Sequence, residues 1–178
     1  MNFKRRVKMK KALIVIDMQN DYLWEKRKKK FSYDTDTLVN SVNALIDEYN
    51  NDNCDVIYVR QVIQNTPLNG LLFGYSLQGT EGAELYPKLN VVSQYCFDKS
   101  ISDAFSNNDF LNLVKEKEYE VLHLCGLDEC GCVAATALGA VRRGFKAEII
   151  RNATATAFKE KKVQQMHELL NMKGIKYI

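Results

Sequence analysis

Apolar, largely β-branched runs recur along the chain at intervals: ALIVIDM (12 to 18), DVIYVRQV (55 to 62), VVSQYCF (91 to 97), EVLHLCG (120 to 126), AEIIRNA (147 to 153) and IKYI (175 to 178). Near-continuous runs of this length predict strands buried on both faces. Between them the apolar period lengthens. Leu38, Val42, Leu45, Ile46 and Tyr49 fall on one helical stripe, with Asp34 or Thr35 as its cap. Phe110, Leu111 and Val114 begin a shorter stripe, and residues 130 to 143 are alanine-rich and stop at Gly144. Residues 159 to 172 carry Val163, Met166, Leu169 and Leu170. Strand alternating with helix predicts a three-layer α/β/α, Rossmann-like fold. Its sheet is six-stranded, mostly parallel and covered on both faces.

Composition adds bounds to that picture. The chain has 178 residues, 46% apolar and 26% charged, which suits one soluble domain with a sizeable core. No repeat or low-complexity tract interrupts it, and two prolines leave little room for a hinge. A single domain is expected over residues 11–178, preceded by a basic tail over 1–10; Met9 would itself make a plausible start. The net charge of +3 argues little about partners. The basic runs KRRVKMKK and EKRKKK fall in a terminal arm and a loop, where a solvated surface is expected and no nucleic-acid partner. ALIVI is too short for a secretory segment, and no run approaches a membrane span. Five cysteines without framework spacing fit free thiols and a cytoplasmic setting.

In a parallel sheet of this kind ligands sit beyond the carboxyl ends of the strands. Asp17, Gln19 and Asp21 follow the first strand, Lys99 the third, and GLDECGC the fourth, directly before a helix. An acid, a lysine and a cysteine thus converge on one edge. Cys132 falls at the start of that helix, where unpaired N–H groups favour a thiolate and can hold an oxyanion. Asp17 is placed to take the thiol proton and Lys99 to stabilise the charge. Other readings stay open at this point. A cysteine in an alanine-rich helix can be a small core residue. Cys130 and Cys132 supply two ligands of a zinc site, but the chain's two histidines, His123 and His167, show no useful spacing, and His123 sits in an apolar strand as a core residue would. A redox pair normally has two residues between its cysteines, and here there is one.

Four segments in order resemble the isochorismatase-like cysteine hydrolases, which include nicotinamidases, N-carbamoylsarcosine amidohydrolases and ureidoacrylate or biuret hydrolases. ALIVIDMQNDY resembles the opening strand and D-x-Q-x-D-[FY] motif, and GTEGAELYPKL (79 to 89) the G-T-x-G-x-E-L segment. DKSISDAF resembles the K-x-x-x-x-A-F stretch, and GLDECGCVAATALGAVRRGF the nucleophile segment. The resemblance implies a catalytic triad of Asp17, Lys99 and Cys132, with Cys130 a bystander. It implies a cis peptide at Leu127–Asp128 and an oxyanion hole from the backbone N–H groups of Asp128 and Cys132. It also implies a homo-oligomer, a dimer or tetramer.

Departures from the family narrow the activity. Nicotinamidases carry a D-x-H…H metal site after the second strand, and YVRQVIQNTPLNG has no histidine, so no metal and no cofactor is expected. True isochorismatases lack the cysteine. What remains is a hydrolase cleaving a C–N bond of a small amide or ureide through a thioester. Gln19, Tyr22 and Trp24, close after the acid, are the candidate substrate contacts. Asp128, Glu129 and Cys130 stand where many members have A-T-D; the two acids either repel anionic substrates, bind a cationic group or face solvent. The rival functions are a non-catalytic binding protein on the same scaffold and a thiol redox sensor using Cys130 and Cys132.

Overall fold

The computed structural model describes residues 9–178, so the greater part of the expected basic tail lies outside the described residues. A six-stranded sheet runs through the chain: β1 (Lys11–Ile16), β2 (Asp55–Gln61), β3 (Cys96–Lys99), β4 (Val121–Gly126), β5 (Lys146–Thr154) and β6 (Lys176–Tyr177). Its order is β3-β2-β1-β4-β5-β6, and every pairing is parallel. Helices α1 (Asn20–Leu23), α2 (Thr35–Asn51), α3 (Pro67–Leu72), α4 (Asn108–Glu116), α5 (Ala134–Arg142) and α6 (Glu160–Met172) connect the strands.

The apolar runs are continuous because both faces of each strand are buried. On β1, Ala12, Ile14 and Ile16 join a core with Phe105, Phe110, Val114, Ala134, Ala137 and Ala140. Leu13 and Val15 enter a second core with Leu38, Val42, Ile46 and Tyr49 of α2. Fully burying such a side chain contributes about 1.5–3 kcal/mol, so these two layers dominate the stability of the domain. Asp34 proves to be the cap of α2, its carboxylate accepting from the Thr37 N–H.

Two expectations are corrected. The third strand starts at Cys96 rather than at Val91, because only Tyr58–Gln61 of β2 is in register to pair with it. Residues 91 and 92 are exposed, and the Tyr58 hydroxyl ties this segment down by donating to Asn90 O and accepting from Val92 N–H. The alanine-rich helix is preceded by a wider, π-type turn over Glu129–Val133, broken by Gly131 at φ −110, ψ −107. Cys132 therefore lies in that turn, ahead of α5. Such turns concentrate at functional sites. Helix α3, absent from the hydrophobic pattern, is started by a Thr66 cap and Pro67 and buries none of its residues. Among the described residues no helix is long and apolar enough to cross a membrane.

β1 has β2 on one side and β4 on the other, so the connections leave it in opposite directions. A crevice opens at its carboxyl end, where a ligand of an open α/β sheet is expected.

Candidate active site

Asp17 is the first residue past β1 and lies in the left-handed region at φ 53. Its N–H donates to Val59 O at 2.8 Å, which turns the chain across the end of β2 and aims the carboxylate into the crevice. Aspartate tolerates this conformation better than most residues do. Gly126 closes β4 at φ 99, and a side chain there would collide with Ile16 O at 2.2 Å. The glycine lets Leu127 N–H reach Ile16 O at 2.8 Å, which brings the segment carrying Cys132 against the end of β1.

Lys99 ends β3 and is buried. Its ammonium has three donors, and all three have acceptors: Asp17 Oδ2 at 2.9 Å, Gln61 Oε1 at 2.6 Å and Cys132 Sγ at 3.2 Å. Burial works against the charge on Lys99, but Asp17 and Cys132 outweigh it and hold the lysine above its ordinary value. Burial also pushes Asp17 up, with Lys99 opposing. The Cys132 thiol is raised to about 12 by burial first and by the Asp17 charge second. The helix-start argument favours a thiolate. Here burial and the facing carboxylate oppose it. Asp17 Oδ1 is buried and takes no conventional hydrogen bond among the described residues. It is the acceptor left for the Cys132 proton.

The structure thus brings Asp17, Lys99 and Cys132 together. Gln19 has a different place. Its Nε2 donates to Gln61 O at 2.9 Å and Ala83 O at 2.7 Å, and its Oε1 accepts from Gln61 N–H at 2.8 Å. It braces Gln61, which in turn holds Lys99. Asp21 is also a brace: it accepts from Ser76 N–H, and Gly82 leaves room for its carboxylate, which a side chain there would meet at 2.2 Å.

A cavity of about 300 Å³ opens over Cys132, with Asp17, Leu127, Asp128 and Ser102 at its base and sides. Tyr22 lines it as expected, and Trp24 does not. Instead the aromatic wall is completed by Phe31, Tyr33, Tyr75 and Phe158. Tyr22, Phe31 and Tyr75 meet edge to face at centroid distances of 5.0 to 5.8 Å, so the wall is already assembled. Lys30 stands over Tyr75 at 4.3 Å and Phe31 at 4.9 Å, and it too lines the cavity. The basic run is therefore not wholly a solvated surface. A larger, shallower groove of about 610 Å³ near Lys11, Tyr49 and His123 holds no cysteine, serine or threonine.

Neither replaced acid points free into solvent. Asp128 accepts from Cys130 N–H at 3.0 Å, Thr156 Oγ1 at 2.8 Å and Ala157 N–H at 2.8 Å, locking the nucleophile turn to the loop after β5. Burial raises its carboxyl, with the hydrogen bonds from Ala157, Thr156 and Cys130 opposing. Glu129 pairs with His167 at 2.6 Å. The Leu127–Asp128 peptide is trans, as are all others among the described residues. This corrects the cis expectation: with Leu127 N–H on Ile16 O and Glu129 N–H on Ala155 O, the trans chain already spans between its two anchors.

A metal of the kind implied by a D-x-H…H motif does not fit here. Gln61 ends β2 and Gln64 follows three residues beyond it, and Gln61 is bonded to Lys99. His123 lies against Glu148 and Tyr49, and His167 against Glu129.

The isochorismatase domain model matches residues 11–176. The chain belongs to the isochorismatase family. A curated family member from Bacillus subtilis, the uncharacterized isochorismatase family protein PncA, is 29% identical over 160 residues, covering 83% of this chain and 87% of its own. A solved nicotinamidase PncA from Bacillus subtilis superposes with a TM-score of 0.80 at 26% identity, covering 95% of this chain and 99% of that one. An N-carbamoylsarcosine amidase from Thermoplasma acidophilum shares the fold, with a TM-score of 0.78 at 20% identity and 95% of each chain covered. The chain is an isochorismatase-family hydrolase, and its all-parallel sheet is the sheet of that family.

The site residues that sequence reasoning missed are Gln61, Lys30, Phe31, Tyr33, Tyr75 and Phe158. For Gln61 a signal existed: it is the last residue of a strand ending beside Asp17. The aromatics gave none, since they come from three separate segments that meet only in the folded chain.

Proposed function

We propose that this hydrolase cleaves the C–N bond of a small planar amide or ureide, with Cys132 as nucleophile, Asp17 as general base and acid, and Lys99 as the cation holding both. The reading rests on one observation above others: a single buried ammonium is bonded to both the acid and the thiol, and that acid also faces the thiol. Asp17 takes the Cys132 proton as sulfur attacks the carbonyl carbon. The N–H groups of Asp128 and Cys132 remain the expected oxyanion donors, although the Leu127–Asp128 peptide is trans and not the cis form that would aim the first of them. The C–N bond breaks, and ammonia or an amine leaves with the proton from Asp17. Water then gives a proton to Asp17 and attacks the thioester. The C–S bond breaks, sulfur recovers the proton, and the carboxylic acid departs.

The aromatic wall suits a flat substrate, and Lys30 favours one bearing an anionic substituent. The free state of all five cysteines fits a reducing, cytoplasmic setting. A homo-oligomer is supported by Leu68, Leu71 and Leu72, which α3 leaves exposed. The test is ammonia release across nicotinamide, pyrazinamide, N-carbamoyl amino acids and biuret, with isochorismate as control. Release from an amide or ureide that vanishes in Cys132→Ala supports the reading. Turnover confined to isochorismate, or persisting in Cys132→Ala, contradicts it.

A further inference from the structure

The turn that carries Cys132 holds a second group of ligating side chains. Glu129 and Cys130 are adjacent on it, and His167 reaches them from α6. Glu129 Oε1 is 2.6 Å from His167 Nε2, and these two atoms and Cys130 Sγ all lie within 4.8 Å of one another. Cys130 is buried, while Glu129 and His167 keep 12% and 31% of their side chains exposed. The group is thus shielded but reachable, through a surface groove lined by His167, Glu168, Asn171, Lys176 and Tyr177. None of the three takes part in the chemistry proposed above.

We propose that Glu129, Cys130 and His167 form a binding site for a borderline divalent metal ion of the zinc or cobalt type. Thiolate, imidazole and carboxylate together favour such an ion over magnesium or calcium, which prefer all-oxygen shells. Three protein ligands leave a fourth, tetrahedral position for water. Tyr177 walls the group: its ring packs on His167 at 4.8 Å, and its buried hydroxyl lies beside Glu129.

The binding step balances simply. The ion displaces the proton of the Cys130 thiol to solvent, and the imidazole binds through Nε2 with its proton on Nδ1. Glu129 exchanges its hydrogen bond for a metal bond. One thiolate and one carboxylate neutralise the two charges of the ion. Burial first, then the charges of Glu129 and Asp128, hold the Cys130 thiol up at about 11, with Lys162 opposing, so the ion's own charge must drive the proton off.

The experiment is a titration of the full chain with Co²⁺, in the parent and in Cys132→Ala, so that the catalytic thiol is not the ligand observed. A thiolate-to-cobalt charge-transfer band at one equivalent, with visible bands of four-coordinate intensity, is expected in both proteins. The charge-transfer band should vanish in Cys130→Ser. Apparent affinity should fall at least about tenfold in His167→Ala and in Glu129→Gln, since losing even a partner behind a ligand costs about 10–100-fold. Thermal melts check that each variant folds, and the three variants remove the ligands one at a time. A parent without the band, a band lost in Cys132→Ala, or a band retained in Cys130→Ser overturns the proposal.

Discussion

Lys99 and Asp17 form an ion pair of 2.9 Å in which both side chains are almost wholly withdrawn from water. Removing one partner of such a pair leaves the other charge buried and alone, at a cost of about 3–5 kcal/mol. Lys99→Met should therefore lower stability by that order and abolish turnover. Asp17→Asn keeps the shape and removes the base; it should cost about 10²–10⁴ in kcat. Urea denaturation and steady-state kinetics on the two variants check this. A fully active Asp17→Asn would remove Asp17 from the mechanism.

Gln61 gives Lys99 a neutral third acceptor. In Gln61→Leu that N–H loses its partner, and a hydrogen bond to a charged group contributes about 1.5–3 kcal/mol. The expected result is a kcat reduced by about 10- to 150-fold with KM little changed, because Gln61 touches the lysine and not the substrate. A change confined to KM would place Gln61 in substrate binding instead.

Lys30 lines the cavity with its ammonium 4.3 Å from the centre of the Tyr75 ring. Lys30→Glu should raise KM for amides bearing a carboxylate, leave neutral amides nearly unchanged, and do so less at high salt, as exposed charges are screened. Equal effects on both substrate classes would show that Lys30 acts through packing on Tyr75.

His123 offers a test of the fold by pH. Burial lowers its pKa, although Glu148 at 3.2 Å pulls the other way. A base whose folded pKa lies below its unfolded value binds more protons when unfolded. Its contribution is present above the unfolded pKa, near 6.5, and is lost as pH falls below that toward the folded value. Denaturation curves between pH 7 and about pH 5 should show stability declining, and His123→Gln should flatten that slope. A slope unchanged in His123→Gln would assign the acid sensitivity elsewhere.

How far the site was legible follows from where each residue's position is decided. Asp17, Lys99 and Cys132 sit at or just beyond strand ends, and a parallel sheet brings strand ends together whatever the loops do. The two-faced burial of β1 was likewise written in the run ALIVI. The π-type turn was not, because it depends on Gly131 and on Asp128 capturing Thr156 and Ala157 from a loop about 28 residues away. Gln19 and Trp24 stood near the acid in sequence. One faces the backbone of β2, and the other lies outside the cavity. The Glu129–His167 pair spans 38 positions and follows no local spacing.

In the proposed reaction the acyl carbon passes from nitrogen to the sulfur of Cys132. The most direct measurement is mass spectrometry of protein quenched in acid during turnover of whichever small amide or ureide proves to be a substrate. The account predicts a mass increase equal to the acyl group, mapped to the peptide containing Cys132, present in Cys130→Ser and absent in Cys132→Ala. An adduct on Cys130, or turnover by Cys132→Ala at the parent rate, would contradict it.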